Sequence, residues 1–341
     1  IWLNENVPTY NMVPNCKTRK TMYCPRIPEI VRSAIATVMV VLGVVLPAHA
    51  QQDAAFQQYW KLEPQWCPAA VGRTPELAIN AAFQTHATGF EDAGSTMYAG
   101  VDMAFQLGKT RHGVGAMFVN DVFGLFSQKS FAVQYAYHLK LWGGVFSLGT
   151  QLDLLSEEIE GSKADLADGS DPAFPTTDLT GTAFDLGFGI YYARKQLQLG
   201  LSAGHLMAPV VTMGETNEYA MKRQMNFSGA YNIRLKSPLY TITPSVMFRT
   251  DFADYRTDIT CRVQYEYEKR RMYGGVNYAP QRSVAIFFGG TLHGVDLCYS
   301  YEANTSGIGM EHGQHEVTIA YRMDLNLGKK GRNVHKSVRW L

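Results

Sequence analysis

The side chains that most often do chemistry do not converge in this sequence. His86, His112, His138, His205, His293, His312, His315 and His335 lie far apart among polar and apolar stretches. No Gly-x-Ser-x-Gly nucleophile elbow is expected, and with it no catalytic serine. His312 and His315 stand beside Glu311 and Glu316, four groups of metal-ligating type. Successive strand residues point to opposite faces, so these four would not meet on one ion. The expectation is no catalytic group, no cofactor and no metal.

Other residues suit binding. The stretch 156–181 carries Glu157, Glu158, Glu160, Asp165, Asp168, Asp171 and Asp178 against Lys163. Oxygen-rich loops can hold calcium, but EF-hand spacing is missing. A solvated outer loop is the plainer expectation, with contact to an exported cargo as its functional form. Residues 51–75 are aromatic and proline-rich, with Phe56, Tyr59, Trp60 and Trp66 among Pro64, Pro68 and Pro75. Proline interrupts a strand ladder. This segment is expected either to fold into a lumen as a plug or to form a docking surface. The tail 326–341 is basic, with Lys329, Lys330, Arg332 and Arg339 before Trp340. It reads as a disordered tail or a docking peptide.

What must position these groups is a set of strands. In Thr182–Ala193, Phe184, Leu186, Phe188, Ile190 and Tyr192 fall on one face, and Asp185, Gly187, Gly189 and Tyr191 on the other. That is the period-2 pattern of a strand with one apolar face. It recurs around 258–268, 294–302 and 314–325. About fourteen such segments lie in 76–325, each near the nine to eleven residues that cross a bilayer as a tilted strand. Tight turns, such as the one at Gly108-Lys109, alternate with longer links at 87–95, 120–128, 156–181, 205–221, 251–255 and 303–313. The fold class expected is all-β, an antiparallel transmembrane barrel. Its second face would line the lumen, placing Asp185, Arg262, Glu266, Asp296, Glu302 and Arg322 inside.

Composition agrees. The 341 residues are 46% hydrophobic, 12% aromatic and only 18% charged, with formal net charge +1. A disordered chain would be more polar, and a nucleic-acid binder would be basic. Ala34–Leu46 is a short apolar run preceded by Lys17, Arg19, Lys20, Arg26 and Arg32 and followed by Pro47-Ala48-His49-Ala50. This is the pattern of a secretory signal peptide over 1–50, cut after Ala50. The mature chain keeps Cys67, Cys261 and Cys298, an odd number and no disulfide framework. Cys261 and Cys298 fall on opposite faces by alternation and should not pair.

The order of short motifs resembles the PorP/SprF family of type IX secretion and gliding membrane proteins of Bacteroidetes. Gln51-Gln52-Asp53, Phe56, Gln58-Tyr59, Pro64, Pro68-Ala69 and Gly72 resemble its opening. Phe184–Gly189, Gly200–Leu206, Pro244-Ser245 with Phe248-Arg249, and Gly313–Val317 continue the likeness. The chain departs from the family pattern at Trp66-Cys67, Ala70-Val71 and Gly204. The resemblance implies a non-enzymatic outer-membrane barrel with both termini in the periplasm. It implies a periplasmic peptidoglycan-associated partner and a secreted cargo or adhesin, with outer-membrane lipid around it and no nucleic acid. Phe56, Tyr59, Trp60, Trp66 and the basic tail are the expected partner contacts. A porin-like channel for small solutes is the competing reading, and the state of the lumen separates the two.

Overall fold

The computed structural model describes residues 54–86, 93–163, 177–214, 217–268, 270–305 and 312–324. The expected signal peptide, Gln51–Asp53, Glu311, Asp165, Asp168, Asp171 and the tail with Lys329, Lys330, Arg332, His335, Arg339 and Trp340 lie outside the described residues.

Strands dominate. In chain order they are β1 Leu77–Thr85, β2 Ser95–Leu107, β3 Thr110–Phe123, β4 Phe126–Leu141, β5 Gly144–Ile159, β6 Leu179–Arg194 and β7 Leu197–Gly204. Then come β8 Val210–Met213, β9 Asn217–Ala220, β10 Gln224–Tyr231, β11 Ile233–Arg234, β12 Tyr240–Thr250 and β13 Tyr255–Tyr267. The last are β14 Arg270–Ala279, β15 Ser283–Leu292, β16 Val295–Asn304 and β17 Gln314–Met323. Sequential neighbours pair antiparallel, β7 pairs with β10 across the β8–β9 hairpin, β10 pairs with β12 across the two-residue β11, and β17 pairs back onto β1. The ring is thus a closed barrel of fourteen strands. Closure removes every sheet edge, which a strand structure in hydrocarbon requires.

Alternation sorts the residues as the pattern predicts. Along β6, Phe184 is 63% exposed while the adjacent Asp185 is fully buried. Val133, Leu152, Leu154, Ile286, Phe288, Leu297 and Ile319 join Phe184 in an outward apolar belt. An apolar surface of that extent suits lipid. Cys261 is exposed and Cys298 buried, and both are free, as is Cys67.

The two ends differ. At one, the turn end, strands are joined by tight turns at Gly108-Lys109, Trp142-Gly143 and His293-Gly294. Trp142, Gly143, His293 and Gly294 all have φ between +50° and +85°, the backbone that two-residue hairpins demand. β1 begins and β17 ends here. The opposite loop end carries the connections 86–94, 160–178, 205–223 and 305–313.

Two links differ from expectation. The one expected over 120–128 shrinks to Gly124-Leu125, because β3 and β4 continue pairing to Phe123↔Phe126. The one expected over 205–221 contains the β8–β9 hairpin, whose Val211 and Met213 pack against Ile159, Leu179 and Ala183 on the inner face.

Candidate functional site

The lumen is occupied by the chain's own residues 54–73. Phe56, Tyr59, Leu62, Trp66, Cys67, Ala69, Ala70 and Val71 are buried there. One helical turn, α1 (Glu63–Trp66), is followed by a 3-10 turn at Pro68–Ala70. The prolines that forbid a strand here start these two short turns, as their missing N–H allows. Ala54 lies among loop-end residues such as Asp121 and Gln128, while Gly72 reaches Asp102 and Gly113 toward the turn end. The segment therefore runs the length of the barrel before β1 starts.

Its first part is held by charge. The Glu316 carboxylate on β17 accepts the backbone N–H of Gln57 at 2.6 Å and of Gln58 at 3.1 Å. The Gln57 side-chain amide donates to Glu302 and accepts from Asn277. Arg249 donates to the Phe56 carbonyl at 3.2 Å and to Asp258 at 3.1 Å. Asp258 and Glu302 both take Arg256, at 3.0 and 2.9 Å. Tyr59 Oη meets Ser245 Oγ at 2.8 Å. Lys61 pairs with Asp296, which also accepts from Tyr273 at 2.6 Å. Buried charges persist only when matched in this way.

Its second part is held by close packing. A side chain on Gly149 would collide with Pro68 and Ala69, one on Gly189 with the Cys67 thiol, and one on Gly113 with Val71 and Gly72. Glycine there lets the backbones touch. Mostly neutral hydrogen bonds fix the fit: Ser202 Oγ to the Trp66 carbonyl at 2.5 Å, Gln134 to the Pro64 carbonyl at 2.7 Å and His138 Nε2 to the Val71 carbonyl at 3.0 Å, with one carboxylate, Asp102, accepting the Gly72 N–H at 2.9 Å. Cys67 packs its thiol on Gly189 and against the Ile190 and Leu201 carbonyls.

Candidate by candidate, the placement is as follows. Phe56, Tyr59 and Trp66 are buried against the wall, so in this arrangement their contact partner is the barrel itself. Trp60 packs against Phe287 with the rings tilted 45° and centroids 4.7 Å apart, and the Arg262 guanidinium lies 5.2 Å above its ring. Asp185 accepts His205 Nδ1 at 2.6 Å and the Met207 N–H at 3.1 Å. Asp296 and Glu302 join the charge network above. Glu266 and Arg322 are exposed near the turn end. His315 points outward, bonded to Tyr299 at 2.7 Å, while Glu316 points inward; among the described residues no cluster could hold a metal ion. At the loop end, Ser162 donates from its N–H and hydroxyl to Asp178, holding that carboxyl below its usual range.

One expectation needs correction. Gly200-Leu201-Ser202-Ala203-Gly204 does spell the pattern of a nucleophile elbow. It lies within the regular strand β7, however, not at a strand-to-helix turn, and Ser202 spends its proton on the Trp66 carbonyl. Sequence reasoning also passed over Gln57, Arg256 and Asp258, and named Arg249 only as part of a family motif. Their signal was available: charged residues at inward positions of apolar-patterned strands.

The scattered motifs prove to be contact partners. Gln57-Gln58 meets Glu316 across 259 and 258 positions, Tyr59 meets Ser245, Phe56 meets Arg249, and Asp185 meets His205. A family model described as type IX secretion system membrane protein PorP/SprF matches residues 48–321. The chain belongs to the PorP/SprF family. Among solved structures it is similar to the CymD monoaromatic hydrocarbon channel, with TM-score 0.51, 11% identity, and 80% of this chain and 95% of that one covered. The Ralstonia pickettii toluene transporter TbuX aligns with TM-score 0.45 and 10% identity over 75% and 92% of the two chains. The likeness to CymD shows the barrel fold alone. No curated protein matches the chain.

Proposed function

We propose that this PorP/SprF member is a sealed, non-enzymatic outer-membrane component of the type IX machinery, working by binding rather than conduction. The observation that carries the reading is the plug. The family's opening motif is locked to its Glu316 motif by two hydrogen bonds from backbone N–H groups to the carboxylate, inside a barrel. The cavity beside Ala54, Gln65, Asp153 and Asn226 is about 90 Å³, room for a few waters.

In bacterial barrels the short turns face the periplasm. The same orientation here puts the turn end, and with it the basic tail with Lys329, Lys330, Arg332, Arg339 and Trp340, toward a peptidoglycan-associated partner. The acidic connection 160–178 then faces the cell exterior, where cargo or adhesin is exported or attached.

Affinity purification from the outer membrane tests the reading, paired with conductance in a planar bilayer. Co-purification of a periplasmic secretion component with little current is the expected result. A large steady current without any such partner would overturn it in favour of a small-solute channel.

A further inference from the structure

The two ends of the barrel treat their cations differently. At the loop end Lys129, Lys163, Lys222, Arg249, Arg256 and Arg282 each sit within ion-pair distance of a carboxylate, while Arg223 donates to the Leu206 carbonyl instead. At the turn end, Lys109, Arg111, Lys140, Arg194, Lys195, Arg234 and Lys236 have no ion-pair partner among the described residues. Their location is one-sided. All lie at the ends of β3, β4, β6, β10 and β11 or in the adjoining turns, along one continuous half of the ring. The segments that form this half, 104–112, 138–146, 192–200 and 230–240, contain no Asp or Glu at all. The other half is mixed: Glu76, Glu266, Glu268 and Asp324 balance Arg270, Arg271 and Arg322.

In the middle of the basic crescent stands Trp142. It is 75% exposed at the tip of the β4–β5 turn, and Tyr192 holds its carbonyl. A protruding tryptophan ringed by cations is the composition of an interface anchor.

We infer that this crescent is a docking surface for an acidic protein segment. The inference rests on the proposed function and gives its periplasmic partner a chemistry. Membrane lipid is the other polyanion at hand, but lipid surrounds a barrel evenly and calls for cations all round. Arg111, Lys140 and Arg234 moreover sit on the inward face of their strands, shared with Gly113, His138 and the position opposite Thr241, and cannot reach it. Rim charges steer and select partners through complementary potential, and screening by salt follows.

The test uses full-length protein in phosphatidylcholine nanodiscs and a fluorescent decaglutamate peptide, read by anisotropy. Binding that weakens with salt is expected. Combining Lys109→Gln, Lys140→Gln, Lys195→Gln and Lys236→Gln should weaken it about tenfold, and Trp142→Ala should weaken capture of the native partner. Arg270→Gln with Arg322→Gln, on the mixed half, should change it less than about twofold. Unchanged heat-modifiable mobility in gels confirms that each variant is folded. Equal loss in both halves, or binding to phosphatidylglycerol vesicles but not to the peptide, would overturn the inference. If the crescent variant still co-purifies the periplasmic partner, the crescent is wrong and the proposed function stands. If wild type binds the peptide but no partner co-purifies, the proposed function fails instead.

Discussion

The plug is fastened to two unlike walls. Around Phe56–Lys61 the barrel offers β12, β13, β16 and β17, whose inward positions carry Arg249, Arg256, Asp258, Asp296, Glu302 and Glu316. Around Pro64–Gly72 it offers β3 to β7, whose inward positions include Gly113, Gln134, His138, Gly149, Gly189 and Ser202. The first wall works by matching charges, which leaves little tolerance: a missing partner strands a buried ion. The second works by letting backbones touch, and its tolerance is one of volume. A single segment is thus specified chemically at one end and sterically at the other.

The contrast can be attacked from the charged side first. Asp258→Ala leaves Arg249 and Arg256 short of their shared carboxylate, and a loss of about 3–5 kcal/mol is expected in urea unfolding from detergent. A loss under about 1 kcal/mol would mean the first wall is not charge-held. Glu316→Gln keeps the shape but cannot accept both Gln57 and Gln58 N–H groups, at an expected cost of about 1.5–3 kcal/mol. Proteolysis between Ala54 and Lys61 should then speed up, while the Trp66 region stays protected. Gly149→Val challenges the second wall by overpacking Ala69, worth about 1–3 kcal/mol. Tryptophan fluorescence should report Trp66 becoming wetter. Combined with Glu316→Gln, the two losses should add within about 0.5 kcal/mol if the walls act independently; strong coupling would show that the plug leaves as one unit. Ser202→Ala removes one neutral hydrogen bond, about 0.5–1.5 kcal/mol, and partner co-purification should be unaffected. Loss of function without loss of stability there would revive a catalytic reading of the Gly200–Gly204 pattern.

Much of the barrel was legible. Alternation along 182–193, 258–268, 294–302 and 314–325 predicts which residues face out, and Phe184, Ile259, Leu297 and Ile319 do. Strand ends were less legible: β3 and β4 run on to Phe123 and Phe126 because neither flanking sequence breaks the pairing before Gly124. The β8–β9 hairpin was missed because four-residue strands give too little periodicity to register. The candidate site was legible as a list of motifs but not as an arrangement. Asp185, Asp296 and Glu302 were placed on the inner face by parity, yet parity says nothing about who meets them.

By itself the sequence determines the local pattern, hence strands with one apolar and one small or polar face, and it carries the family's motifs in order. Those properties depend on near neighbours in the chain. Tertiary structure alone decides that β17 closes on β1, that residues 54–73 occupy the lumen, and that Glu316 receives Gln57 and Gln58. The β1–β17 and Glu316 pairings join residues 230 or more positions apart, and only the closed ring brings them within hydrogen-bonding reach.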